Sequence, residues 1–398
     1  ASGASLRDLR NSETGVWLPA SGKLVVRCDS STVLNPGDRA VVRGKIYPFT
    51  ARHGGYGRLM TRRGYVGTLY LNRSSLLLRD TLHRELPPKH LSLFLHERAV
   101  ARLDRLSLAP DEQALCNAMT AGDRRSLSPA LRAAYSRSGT SHLLAVSGLH
   151  VGIVFLLANL LLWWLPLFRH GHILRNIAVI LLIWLYAATT GFPPSVVRAA
   201  LMFSVLQFAL ASSSEYVGMN TLAGVAFVML LFHPDYLFDI SFQLSFIAVA
   251  GIIAWGLPLC RLLRTRRKSI DMLTATLAIG FSASAATAPL ISHTFGQISV
   301  VGLALNPVVI LLSYVVVGSC TLWLVIPGTA LAPLFSVVAG FAARAQNELI
   351  RAAAALPAAA LDIRLTTTQC WSVYGLFIFA TLLLWSAERK KSVSSLPE

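Results

Sequence analysis

The stretch HLLAVSGLHVGIVFLLANLLLWW, residues 142–164, is apolar enough to lie in lipid, yet it opens with His142, Ser147 and His150. From Ser147 onward it approaches the roughly 20 apolar residues a helix needs to cross a bilayer. Comparable runs recur through the rest of the chain. Candidate spans read near 147–166, 174–190, 195–212, 217–233, 236–260, 272–292, 298–326, 329–345 and 371–387. The predicted fold class is therefore a polytopic α-helical membrane protein with about nine transmembrane helices. The Ala-rich segment 346–368 holds Glu348, Arg351, Asp362 and Arg364, with Arg344 just before it, and reads as interfacial or extramembrane.

Composition agrees. The chain has 398 residues, 54% hydrophobic and 14% charged, with mean hydropathy +0.57. Soluble domains carry about 25% charged residues, so an ordinary soluble globule is excluded. The charge is uneven: residues 1–140 hold 22 Lys and Arg against 11 Asp and Glu, and residues 141–398 hold 14 against 8. A polar, basic front precedes an apolar body. The short basic loops RHGHILR (169–175), RLLRTRRK (261–268) and RKK (389–391) fall on one side of a nine-span arrangement. By the positive-inside rule that side is cytoplasmic and the front lies outside, since long domains translocate largely regardless of charge.

Within the front, KLVVRCDSS, RAVVRGKIYPF, RRGYVGTLYLN and SSLLLRD are β-branched runs, the first two separated by the turn LNPGD. Four or five short strands over residues 15–80 suit a small β-barrel of the oligonucleotide/oligosaccharide-binding (OB) type, with a β-sandwich fragment as the alternative. Arg43, Arg58, Arg62, Arg63 and Tyr65 suit nucleic acid, where cations track phosphates and aromatic rings stack on bases; a solvated charged face is the plain alternative. Helical periodicity follows. Ser128 reads as an N-cap with Pro129 at the first helical position, and Gly139 ends that helix. Arg124 and Arg125 stand ahead of the first span. The expected organisation is an OB-like domain (1–80), an amphipathic helical connector (81–140), a transmembrane domain (141–390) and a polar tail (391–398).

Five cysteines show no CxxC or Cys/His spacing, so no metal site, disulfide framework or cofactor is read, although Cys28 and Cys116 could pair outside the cytoplasm. The chain starts without Met in polar sequence and reads as an excerpt of a longer protein.

Ionisable groups at membrane depth are costly and are functional candidates by default. On a continuous helix His142, Ser147 and His150 share an arc of about 140° and face one cavity; capping at the interface is the alternative. In TTGFPPSVVRAALMF (189–203), Arg198 is the only Arg or Lys between Arg175 and Arg261. It either snorkels or faces a polar path. In FHPDYLFDISFQLSFIAVAG (232–251), Asp235 reads as a first-turn acid and Asp239 and Gln243 follow it at i+4 and i+8 as a polar stripe, with an Asp239–Arg198 pair as the structural reading. Asn306-Pro307 predicts a kink or break within a span.

The segment GTSHLLAVSGLHVG (139–152) resembles the competence domain of the ComEC family of DNA-uptake proteins. LCNAMTAGDRRSLSPALRAAYSRSG (115–139), TGFPPSVVRAALM (190–202) and HPDYLFDISFQLSFIAVAGI (233–252) reinforce it. The resemblance implies an inner-membrane channel that carries single-stranded DNA into the cytoplasm during natural transformation. It implies an OB-like region engaging DNA outside; His142, Ser147, His150, Arg198, Asp239 and Gln243, polar residues read at membrane depth, are the candidates for the path. Membrane lipid and other competence proteins would be partners, with a separate nuclease and a cytoplasmic motor among them. Many members also carry a metallo-β-lactamase-like nuclease domain. Residues after 387 lack its His-rich motif, so the chain reads as a channel and not an enzyme. Two alternatives stand beside this reading. Breaks at Pro193-Pro194 and Asn306-Pro307 would suit a transporter for a small polar solute. AVSG resembles the signature of intramembrane serine hydrolases, although Ser147 and His150 lie one turn apart on one helix.

Overall fold

The computed structural model describes residues 2–10, 16–29, 38–49, 57, 60–61, 64–80, 90–169, 171–212, 218–299, 301–326, 332–356 and 360–394. Two compact units divide it, Ala1–Leu91 and Ser92–Glu398.

Among the described residues the front unit holds six strands: β1 (Ser2–Arg10), β2 (Trp17–Cys28), β3 (Arg39–Val42), β4 (Ile46–Pro48), β5 (Tyr65–Leu71) and β6 (Leu76–Asp80). One sheet runs β1-β2-β5-β4 and a second pairs β3 with β6. The expected closed barrel is not formed among the described residues. RAVVRGKIYPF, read as one strand, is two: Val42 ends the segment paired with β6, and Ile46 opens the one paired with β5. The chain changes sheets at Arg43-Gly44-Lys45, where a Cβ on Gly44 would sit 2.8 Å from Leu69 Cδ1. Both sheets nevertheless share one core, with Val42 and Ile46 packed on Leu24, Val26, Leu69 and Leu71. Strand β1 has polar sequence and lies outside the predicted β region; it is recruited by backbone pairing with β2.

The second unit is helical. Helices α1 (His90–Leu103), α2 (Pro110–Thr120) and α3 (Pro129–Arg137) come first. Ser128 caps α3 as predicted, accepting from the Leu131 amide at 3.2 Å, and Gly139 leaves the helix at φ +74°. The series continues with α4 (Gly148–Leu161), α5 (Gly171–Thr189), α6 (Pro194–Ser212), α7 (Gly218–Phe232), α8 (Ile240–Gly251), a π-helical stretch Ile252–Gly256, and α9 (Leu257–Leu262). Then come α10 (Lys268–Phe295), β7 (Ile298–Ser299), α11 (Val301–Val325), α12 (Ala332–Ala355), β8 (Ala360–Leu361) and α13 (Thr367–Ser394).

Among the described residues five helical segments are long and apolar enough to cross a membrane: Gly148–Leu167, Gly171–Thr189, Ile240–Leu262, Ile270–Phe295 and Leu305–Val325. Large apolar side chains such as Leu181, Phe208, Phe227, Leu231 and Phe281 stand exposed on these and neighbouring helices, as lipid-facing positions of a multi-pass membrane protein do. The described residues do not bear out the count of nine spans. The candidates 195–212 and 217–233 contain apolar helices of shorter length, Pro194–Ala209 and Gly218–Phe232. The described part of the candidate 329–345 falls in α12, which runs from Ala332 to Ala355 and buries polar side chains. Gln346 and Asn347 are 0% and 2% exposed, because Tyr135 donates to Asn347 Oδ1 and Gln346 Nε2 donates to the Tyr135 hydroxyl. The candidate 371–387 lies within α13, part of whose side chains fall outside the described residues.

One core cluster joins α2, α3, α11 and α12 through Leu115, Met119, Leu131, Val316, Ala343 and Ile350. A second joins α4, α5 and α6 through Val151, Ile183, Val196 and Ala200. Pro307 does not break its span: α11 runs through it. Cys28 and Cys116 are both free.

Candidate functional site

Helix α4 is entered through an irregular backbone. Residues Ser141–Leu144 form a 3-10 turn, Ser147 is extended at φ −126°, ψ 177°, and the α-helix starts only at Gly148. The shared arc expected of His142, Ser147 and His150 on one continuous helix therefore does not exist; His142 is exposed on the turn. Ser147 and His150 instead make a reciprocal capping box. The Ser147 amide donates to His150 Nδ1 at 3.0 Å, and Ser147 Oγ lies 3.0 Å from the same nitrogen. Imidazole here plays the part that Glu or Gln plays in the common form of the motif. Because Nδ1 accepts from the backbone, the proton of a neutral ring is on Nε2, and Nε2 is buried with no hydrogen-bond partner among the described residues.

The Ser–His distance alone would suit a nucleophile and its base, but Nδ1 is already committed to the cap. Ser147→Ala is expected to lower stability by ~0.5–2 kcal/mol, the usual cost of losing an N-cap. The melting temperature of the detergent-solubilised protein checks this; an unchanged value would mean that the Ser147–His150 cap carries no stability.

Arg198 lies in the second turn of α6. Two left-handed residues, Gly191 (φ +83°) and Phe192 (φ 54°), turn the chain out of α5, and Pro194 starts α6. Arg198 is 6% exposed. Its guanidinium carbon lies 5.6 Å from the centroid of the Phe246 ring on α8, within cation–π range. Gly148 admits it: a Cβ there would sit 3.1 Å from Nη2. Nε and Nη1 have no hydrogen-bond partner among the described residues, so an Asp239 pair does not satisfy them. Asp239 does not lie within a helical stripe. A 3-10 turn, Pro234–Phe238, precedes it, and its carboxylate caps α8 by accepting from the Ser241 amide at 2.8 Å. Gln243 is likewise engaged locally, donating to the Leu237 carbonyl at 2.7 Å. Of the six candidates in the body, Ser147, His150 and Arg198 gather at the start of α4, while Asp239 and Gln243 serve the entry of α8.

Sequence reading missed a second polar group in these helices. Arg175 donates to Asn159 Oδ1 at 2.9 Å, Gln207 to Asn176 Oδ1 at 2.6 Å, and the Trp184 indole to Ser204 Oγ at 3.2 Å. The available signal was isolated amides in apolar runs. Gln207 follows Arg198 by nine residues, half a turn out of phase at about 100° per residue, so the two lie on opposite faces of α6.

In the front unit Arg43 is exposed and Tyr65 opens β5 half-buried; Arg58, Arg62 and Arg63 lie outside the described residues. Tyr47 and Tyr70, not singled out from sequence, are 50% and 54% exposed and pack edge to face at 5.7 Å between centroids. Arg27 lies 5.8 Å from the Tyr70 ring and Lys45 6.0 Å from the Tyr47 ring. In the connector Arg124 is exposed. Arg125 is clamped onto buried Asp123 through Nε and Nη2, at 2.9 and 2.8 Å, and these bonds hold the Asp123 carboxyl below its ordinary range. Among the described residues no group of three His, Cys, Asp or Glu is placed to hold a metal ion.

Comparison with known proteins bears on the helical unit. The chain is 33% identical over 223 residues to ComE operon protein 3 of Bacillus subtilis (strain 168), covering 55% of this chain and 27% of that protein. It is 29% identical over 201 residues to an uncharacterized protein of Aquifex aeolicus (strain VF5), covering 50% of this chain and 45% of that one. The aligned part thus spans less than half the length of either relative. No solved structure matches. Residues 119–390 match the family described as Competence protein, a match over more than half of the sequence, and the chain belongs to that family.

Proposed function

We propose that the helical unit is a conduit in the cytoplasmic membrane for one strand of DNA entering during natural transformation, with the front unit outside receiving it. The observation that carries this reading is that the competence family match falls on residues 119–390, the helical body. Physical features support it. The cations of the chain concentrate in residues 1–140, where phosphate contacts would be made at the entrance. Within the apolar helices the polar groups are mainly hydroxyls and amides, with the Arg198 guanidinium over the Phe246 ring and Arg175 bonded to Asn159. Weak, separated contacts allow a polyanion to enter and to leave again, as conduction requires. The exposed pair Tyr47 and Tyr70 beside Arg27 and Lys45 has the chemistry of a sequence-tolerant single-strand platform. Other competence proteins, a separate nuclease and a cytoplasmic motor complete the proposed pathway.

The test is complementation of a naturally transformable bacterium deleted for its own family member. Restored transformants and conversion of labelled DNA to a form resistant to added nuclease are expected. DNA that stays on the surface, with this chain present in the membrane, would refute the conduit.

A further inference from the structure

The starts of α4 and α6 meet at one point. Ser195, in the first turn of α6, donates its hydroxyl to the carbonyl of Val146, the residue before the α4 cap, at 3.0 Å. Gly148, the first residue of α4, lies against the Arg198 guanidinium. Each helix start carries the positive end of its dipole and amides without an intrahelical partner. The Arg198 cation is buried beside them, with Nε and Nη1 unpartnered and no carboxylate paired to it among the described residues. Three positive features thus share a desolvated place, an arrangement that costs free energy unless an anion joins them.

Resting on the conduit reading, we propose that this place is a binding site for a phosphodiester monoanion of the translocating strand. The guanidinium carbon lies over the Phe246 ring, and two of its nitrogens keep unused donors. A guanidinium fork matches phosphate oxygens in both geometry and charge, and helix N-termini bind such groups through backbone amides. A side chain at Gly148 would press on Nη2 at 3.1 Å, so the guanidinium would have to shift by a few tenths of an ångström. The anion is held by one cation rather than a cluster, so each phosphate is bound and passed on.

Lipid headgroups are also phosphodiesters, so the test separates the two sources. The full chain is placed in nanodiscs of pure phosphatidylcholine, and its melting temperature is read with dimethyl phosphate against chloride at equal ionic strength. A rise of about 2 °C or more at saturating probe is expected for the wild type. Arg198→Gln should lose the rise, and Arg198→Lys, which keeps the charge but not the fork, should show a smaller one. No rise in the wild type, or an equal rise in Arg198→Gln, overturns the site. Should Arg198→Gln not fold, an undiminished rise in Arg198→Lys overturns the fork. Repeating the measurement in phosphatidylglycerol discs assigns the source: an unchanged response supports the strand, and its disappearance hands the site to lipid and overturns the assignment. In cells Arg198→Gln should leave surface-bound DNA unchanged and lower nuclease-protected DNA about tenfold or more. If the wild type internalises no DNA while the melting response persists, the conduit fails and the anion site stands.

Discussion

Replacing Tyr47 and Tyr70 together by alanine is expected to weaken binding of single-stranded DNA to the full chain by about 30-fold or more at low salt. Base–aromatic stacking contributes roughly 1–3 kcal/mol per base, and removing two rings together corresponds to at least ~2 kcal/mol, where each 1.4 kcal/mol is tenfold. Both rings are half exposed, so truncation removes little core packing. Their edge-to-face contact, 5.7 Å between centroids, fixes their orientation before any base arrives and reduces the entropy lost on binding. The Tyr47→Phe and Tyr70→Phe pair should bind nearly as the parent does, because the stacking face is kept. Replacing Arg27 and Lys45 should instead flatten the dependence of affinity on salt, by about 0.7 in the logarithmic slope for each phosphate that is no longer neutralised. Fluorescence anisotropy with labelled oligothymidine checks all three. Parental affinity in the double alanine variant would remove the platform from the pathway.

That platform was illegible in the sequence for a definite reason. Tyr47 sits opposite Thr68 in the β4–β5 register, and Tyr70 is its diagonal neighbour on the same face. Register between strands roughly 20 residues apart depends on the sheet change at Gly44, which no alternation of apolar and polar residues announces. What the sequence did disclose was local or one-sided. The run that became α4, the cap at Ser128 and the stop at Gly139 are properties of adjacent residues. Arg198 was legible because a lone cation in a long uncharged stretch stands out without knowledge of its neighbours. Its relation to Gly148 needed three dimensions, since it arises where two helix starts meet. The same limit explains α12: Gln346 and Asn347 fall in the segment read as interfacial or extramembrane, yet both are buried, with Tyr135 and the Asp111 carbonyl as their hydrogen-bond partners. Asp239 and Gln243 matched the i, i+4 spacing of a helical stripe, but a helix that starts at Ile240 turns the first into a cap.

The second large effect is expected at Gly139, where Gly139→Val should lower the amount of folded protein and cut transformation tenfold or more. Two costs coincide there. The φ of +74° penalises an L side chain by roughly 1–2 kcal/mol, more for a β-branched one. A Cβ would also collide with Ser299 Cβ and lie 2.7 Å from its Oγ. Ser299 has little room to retreat: its Oγ accepts from the Gly302 amide at 3.1 Å, and β7 is paired with β8. Gly302 is itself pressed against the Ser138 carbonyl, which a Cβ on it would meet at 2.8 Å. The turn carrying Ser138 and Thr140, both 0% exposed, is thus wedged against the start of α11. Overpacking such a place adds about 1–3 kcal/mol, a large share of a typical total stability of about 5–15 kcal/mol. Gly191 provides the control within the same unit. It has φ +83° with nothing within 4 Å of an added Cβ, so Gly191→Ala carries the backbone penalty alone. Melting temperatures of Gly139→Ala and Gly191→Ala in detergent separate the two terms, with the larger drop expected at Gly139. Equal drops would mean that the approach of residues 138–140 to the start of α11 is looser than the structure has it, and the path from that turn into Ser147 and Gly148 would lose its rigid support.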